Sequence, residues 1–142
     1  MVDNEFIKIE FEKYRLWIQK RNELSEKLIP ISDELYDLKG INYAANNIHI
    51  TRDLRALELK KLDLIEKKDL IENQIQDINN HINYLYKLSD KAVGMERTFI
   101  VAHYFEYKSH TKIAEEYHYS RRTVGYIIDR GFRRIAKALE VK

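Results

Sequence analysis

An apolar residue recurs at every seventh position through the middle of the chain. The repeat consists of Leu57, Leu64, Ile71, Ile78 and Leu85. The companion positions, three residues earlier, are apolar at both ends of the run and lysine between: Leu54, Lys61, Lys68, Ile75 and Ile82. This spacing is typical of a coiled-coil seam, here weakened in its centre. It predicts a long helix from Thr51, its N-cap, to about Leu88. Such a helix needs a partner surface, which is the first helix folded back, a second copy of the chain, or both.

Residues that interrupt helices are scarce, with 4 Gly and 1 Pro among 142 residues. A sheet-rich domain of this length would need more turns, so the predicted fold class is all-α. Hydrophobic residues make up 44% and charged residues 34% of the chain, which is a folded rather than a disordered composition.

The N-terminal third has apolar residues at helical spacing over residues 4–28. Pro30 is predicted to end this helix, because the residue before a proline disfavours α geometry. Ser32 and Asp33 are predicted to cap a short turn that Gly40 stops, followed by a connector over residues 41–50. Together with the seam, these features predict that residues 1–90 form a helical hairpin or coiled-coil oligomerisation region.

Several classes of protein are disfavoured by what the sequence lacks. It has no Cys, and its five His residues match no zinc-binding spacing, so we expect no metal site. No catalytic triad or phosphate-binding Gly loop is recognisable, so we expect neither an enzyme nor a cofactor. No run of about 18 apolar residues or signal-peptide core occurs, so we expect a cytoplasmic protein without a membrane partner.

Charge is unevenly distributed along the chain, although the formal net charge is only +2. Residues 1–90 carry 14 Lys and Arg against 17 Asp and Glu, whereas residues 91–142 carry 11 against 6. A basic C-terminal segment after an acidic N-terminal one is typical of a nucleic-acid-facing end.

Three short helices are predicted in this basic segment, over residues 95–107, 110–117 and 120–139, with Ser109 and Ser120 as N-caps. The last two have the spacing of a helix-turn-helix, with the small Ala114 where they cross. The residues predicted to lock the two helices together are Ile113, Tyr117, Tyr119, Val124 and Ile127. Residues 91–142 are therefore predicted to form a helix-turn-helix DNA-binding domain.

A helix braced in this way projects its N-terminal residues into the major groove. Arginine can bind guanine bidentately, and Ser, Thr, Tyr and further basic side chains can contact phosphates or bases. Gly125 either permits close approach to DNA or is simply tolerated in the helix. The predicted DNA-binding residues are Ser120, Arg121, Arg122, Thr123, Gly125, Tyr126, Arg130, Arg133, Arg134 and Lys112.

The segment FEYKSHTKIAEEYHYSRRTV, with a trailing FRRIAKAL, resembles the C-terminal promoter-reading domain of bacterial sigma factors, region four. The matching residues are Tyr104-Phe105, Glu106, Ile113-Ala114-Glu115, Ser120 and Thr123-Val124. Two Gly positions of that pattern are Tyr107 and His118 here. His tolerates the positive φ that such a turn often needs. The whole layout is similar to the late-gene transcription regulators of phages of Gram-positive bacteria (ArpU/RinA-like).

The resemblance implies a transcription regulator that binds double-stranded DNA and, like sigma region four, also contacts RNA polymerase. A sigma factor needs a separate promoter-opening domain, for which too little chain precedes the coiled-coil-like helix, so we expect DNA reading without melting. A homodimer through residues 1–90 would set the half-site spacing. Two alternatives remain: a DNA-packaging protein of the small-terminase type, which also joins a helix-turn-helix to oligomerising helices, and a purely helical interaction module.

Overall fold

In a computed structural model, the described residues, 3–39 and 50–140, contain helices and no strand, so the all-α prediction is confirmed. The elements in chain order are α1 (Asn4–Lys39), α2 (Ile50–Ser89), α3 (Gly94–Ile100), a π-helical segment (Val101–Phe105), α4 (His110–Tyr117) and α5 (Arg121–Glu140). Apart from Ile50, the predicted connector 41–50 lies outside the described residues, as does Gly40. The prediction that Thr51 is the N-cap of the second long helix is wrong, because α2 already includes Ile50 and Thr51. Over the ranges described, no helix is long and apolar enough to cross a membrane.

The prediction that Pro30 ends the first helix is wrong. Pro30 lies inside α1, so Ser32 and Asp33 are interior helix positions rather than caps. A proline there costs one backbone hydrogen bond and crowds the preceding turn. Packing offsets this cost because the apolar face keeps its helical period on both sides of Pro30, where Leu24 and Leu35 are both buried.

The helices form two compact units, residues 20–79 and residues 1–19 with 80–142, so α1 and α2 contribute to both. In the first unit the two helices run antiparallel. Nζ of Lys60 lies 2.8 Å from Oε1 of Glu34, and Nη1 of Arg21 donates to Oδ1 of Asn79 at 3.1 Å. This is the predicted helical hairpin. The predicted division into domains at residue 90 stays a prediction.

The core of unit 20–79 is a cluster of leucines that joins α1 to α2. Leu35, Leu38 and Leu64 are buried, and Ile31, Leu57 and Ile65 pack against them. All ten predicted seam positions of α2 are buried or half-buried, Lys61 and Lys68 included. The sevenfold repeat therefore identified the face of α2 that is turned away from solvent.

In the unit formed by residues 1–19 and 80–142, aromatic side chains from distant parts of the sequence meet around Phe11. The Phe11 ring lies 5.7 Å from the rings of Tyr104 and Phe132, and 5.8 Å from that of Phe105. On the same side of the core, the hydroxyls of Tyr14 and Tyr86 are hydrogen-bonded at 2.9 Å. The start of α1 is thus built into the same core as α5.

The two glycines inside α5 have different surroundings. A Cβ added at Gly131 would lie 2.7 Å from Cδ1 of Ile100 and 3.1 Å from Cβ of Glu96, whereas one at Gly125 would meet only the His110 ring, at 3.9 Å. Ile100 is fully buried and cannot easily move aside. Gly131 is therefore required for the close approach of α3 and α5, and Gly125 is not required by the fold.

Replacing each glycine with alanine should change stability in opposite directions. Gly125→Ala should raise the free energy of unfolding by about 1 kcal/mol, because alanine is the better helix former. Gly131→Ala should lower it by about 1–2 kcal/mol, because overpacking exceeds that gain. Urea denaturation followed by circular dichroism measures both. Stabilisation by Gly131→Ala would contradict the close packing of α3 and α5.

Candidate nucleic-acid interface

α4 and α5 both begin with the predicted N-caps. The Ser109 hydroxyl accepts the backbone N–H of Lys112 at 3.1 Å, which caps α4. The Ser120 hydroxyl accepts the backbone N–H of Thr123 at 3.1 Å, which caps α5. Each cap satisfies a donor at a helix start that has no partner within the helix. α4 and α5 thus form a helix-turn-helix whose ends are set by local hydrogen bonds.

Left-handed backbone at His118 reverses the chain between the two helices. Its φ is 60° and its ψ is 39°, and its backbone N–H returns to the Ala114 carbonyl. The Tyr119 N–H bonds to the same carbonyl at 3.0 Å. The expectation that histidine accepts a positive φ in this turn is confirmed.

Tyr107 is the other non-glycine residue with positive φ in the described chain, at 61°. The predicted helix over residues 95–107 is therefore wrong in its second half. α3 ends at Ile100, and a π-helical segment follows, closed by the Glu106 N–H on the Val101 carbonyl at 3.1 Å. The sequence did not reveal this change, because the spacing of apolar residues over so short a segment does not distinguish a π-helix from an α-helix.

Buried apolar side chains hold α4 and α5 together. Ile113, Ala114, Val124 and Ile127 are buried, as predicted. Tyr117 and Tyr119, which the sequence placed in the same set, are partly exposed. Their rings instead meet the Phe99 ring edge-on, at 5.1 and 5.8 Å. α5 therefore rests on both α4 and α3.

The face of α5 opposite this core carries exposed basic and aromatic side chains, with the exposed Asp129 among them. At 3.6 residues per turn, Arg122, Tyr126 and Arg133 fall within about 40° of one another around the helix. Arg133 lies over the Tyr126 ring, with Cζ 5.7 Å from the ring centroid, which orients an exposed guanidinium by a cation–π contact. We call these three residues the outer stripe of α5.

The other predicted contacts lie around the outer stripe. Arg121 is exposed at the first position of α5, and Lys112 is exposed on α4. The hydroxyls of Ser120 and Thr123 bond to each other at 2.7 Å, so part of their hydrogen-bonding capacity serves the cap. Gly125 is half-buried beside His110, where a Cβ would also fit.

Arg130 and Arg134 share a partner that the sequence did not reveal. Both guanidinium groups bind the carboxylate of Glu96 in α3. The arginines hold the pKa of this carboxyl below its usual range, the hydrogen bond from Arg134 most of all and against the cost of burial. Arg130 and Arg134 follow Glu96 by 34 and 38 positions, and no feature of the sequence indicates that they pair with it. This contact depends on tertiary packing.

His103 and His110 meet beneath the module, with ring centroids 4.4 Å apart. Nδ1 of His103 lies 2.7 Å from the Lys108 carbonyl, which can only accept, so this nitrogen carries the proton. Burial lowers the pKa of His110, and electrostatic interactions with His103 and Arg121 lower it further. In the described ranges, no group of three His, Asp or Glu side chains could hold a metal ion.

No protein-family model, curated protein or solved structure matches the chain. Its function must therefore be inferred from the geometry and charge of the helix-turn-helix.

His118→Gly should raise the free energy of unfolding by about 1 kcal/mol, because it removes the steric cost of a side chain at positive φ. Glu115→Gly is the matched control: an exposed position inside α4, where glycine should lower the free energy by about 1 kcal/mol. Thermal melts of both variants distinguish the left-handed backbone at residue 118 from the helical backbone at residue 115. Equal destabilisation by the two glycines would show that residue 118 is not left-handed.

Proposed function

We propose that the protein is a sequence-specific regulator of transcription that binds double-stranded DNA and reads the major groove with α5. The observation that carries the proposal is the exposed N-terminal turn of α5, with Arg121 and Arg122 on a helix braced by capped turns. In helix-turn-helix proteins this is the part of the second helix that contacts base edges. Adjacent guanidinium groups suit guanine, to which arginine binds bidentately.

The resemblance to sigma region four agrees with the backbone of the module. The two positions where that pattern has Gly, Tyr107 and His118, are the non-glycine positions of positive φ in the described chain. The same backbone path explains both the glycines of the pattern and the strained residues here. On this resemblance, and on the layout of a helical N-terminal part followed by such a module, we propose a phage- or prophage-encoded regulator that acts in the cytoplasm of a bacterial host and contacts RNA polymerase.

Replacing Arg121 and Arg122 with alanine should abolish the preference for a specific site. The DNA is first selected from a random pool by the purified wild-type protein. Each lost bidentate contact should cost about 1–3 kcal/mol of discrimination, measured by gel shift at constant salt. The control is Arg55→Ala with Lys67→Ala, which removes the same charge from exposed positions of α2. Unchanged specific binding by the Arg121/Arg122 variant would remove the assigned role.

We further propose that the protein is a homodimer through residues 1–90, because α2 exposes large apolar side chains. Leu59, Leu62 and Leu70 are each about three-fifths exposed. Helical spacing places them opposite the face that packs on α1. Apolar side chains of this size on one helix face are typical of a surface covered by another protein. A two-fold dimer would also fix the distance between two DNA half-sites.

Light scattering should give twice the 17.1 kDa chain mass for the wild type. Leu62→Glu with Leu70→Glu should give the single mass, since two charges would be buried unpaired in the dimer. Val93→Glu, which puts the same charge at an exposed apolar residue outside residues 1–90, serves as the control that stays dimeric. A ring of many subunits would instead favour the DNA-packaging class, and a wild-type monomer would contradict the dimer.

A further inference from the structure

Glu96 is a buried carboxylate held by two arginines of α5. Its side chain is 3% exposed, whereas those of Arg130 and Arg134 are each 49% exposed. Nε of Arg130 donates to Oε2 at 2.8 Å, and Nε of Arg134 donates to Oε1 at 2.8 Å. A further bond joins Nη2 of Arg134 to Oε2 at 3.3 Å. Both arginines therefore bind the same carboxylate through Nε, and Arg134 binds it through Nη2 as well.

Most of the hydrogen-bonding capacity of both guanidinium groups remains for another partner. Arginine has five N–H donors in a rigid, planar fork. Arg130 gives one of them to Glu96 and Arg134 gives two, and among the described residues neither side chain makes another hydrogen bond. A planar fork held by one edge presents its other edge in a defined direction.

The position of the pair on α5 matches a role beside the outer stripe. Arg130 follows Tyr126 by one helical turn, and Arg134 follows Arg130 by another. They lie about 40° and 80° beyond Tyr126 around the helix, on the flank of the outer stripe that faces Glu96. A partner that covers this flank as well as the outer stripe would meet both guanidinium groups. Phosphate oxygens are the groups that such forks bind bidentately.

We propose that Glu96 is a positioning residue for DNA binding, which orients Arg130 and Arg134 as a pair that clamps backbone phosphates. The proposal rests on the proposed function. Long basic side chains lose rotamer freedom when they bind, and a fixed carboxylate removes that loss in advance. Glu96 would thus strengthen phosphate binding even though it carries the same charge as DNA.

Charge and positioning make opposite predictions for Glu96→Gln. If charge alone matters, loss of a carboxylate near the basic face tightens DNA binding, most of all at low salt. If Glu96 positions the arginines, the variant binds DNA more weakly. The difference in DNA affinity between wild type and variant should also grow as the salt concentration rises. Salt screens the favourable effect of removing a negative charge, but it does not restore the order of the two arginine side chains.

The experiment measures binding of a labelled mixed-sequence DNA duplex by fluorescence anisotropy, between about 50 and 200 mM salt. We expect Glu96→Gln and Glu96→Asp to weaken binding by about five- to tenfold, the cost of ordering two arginine side chains on the DNA. Glu96→Asp is informative because it keeps the charge and only shortens the reach. Asp90→Asn is the matched control: it removes an exposed carboxylate bound to Arg97, 2.7 Å away, and should not weaken binding.

The outcomes separate the two proposals. If the wild type shows no salt-sensitive affinity for the duplex, the proposed function fails. If the wild type binds but Glu96→Gln binds equally or more tightly, and Glu96→Asp is unchanged, the positioning role is overturned.

Circular dichroism at the binding temperature shows whether each variant is folded. Should the Glu96 variants be unfolded, Arg130→Lys with Arg134→Lys keeps both positive charges and the ion pairing to Glu96 but loses the rigid fork. Weaker binding by this variant supports the phosphate clamp, and wild-type affinity overturns it.

Discussion

The close packing of α5 on α3 determines what the C-terminal module presents to solvent. Gly131 leaves no room for a side chain between the two helices, with Ile100 and Glu96 directly opposite. The apolar face of α5, from Val124 to Ile135, is buried by this contact and by the aromatic cluster around Phe11. Because α5 has a single apolar face, burial of that face leaves Arg122, Tyr126 and Arg133 on the side exposed to solvent.

A buried carboxylate lies at the same contact and would be costly without partners. Glu96 gains them from Arg130 and Arg134, whose side chains remain half exposed. One arrangement thus satisfies a packing requirement and orders two cations next to a basic surface.

Local chemistry made the helix-turn-helix predictable, and helical period made the hairpin predictable. Ser109 and Ser120 cap the helices that follow them, and His118 takes the left-handed turn, because each acts on residues within a few positions of itself. The seam of α2 follows from spacing alone. The wrong prediction at Pro30 overlooked packing, and the one in the second half of the helix over residues 95–107 overlooked a change of helical period that apolar spacing does not reveal. Pro30 stays helical because leucines on either side of it are buried on one face.

By itself, the sequence determined the all-α class, the apolar face of the second long helix, and the caps and turn of the C-terminal module. Each of these is a relation between residues less than about two turns apart, or a period repeated along one helix. Only the tertiary structure decided that the start of α1 packs into the same core as α5, and that Glu96 binds two arginines of a different helix. Those contacts join residues far apart in the chain, and nothing in the local pattern of charge or hydropathy specifies which partner each will meet.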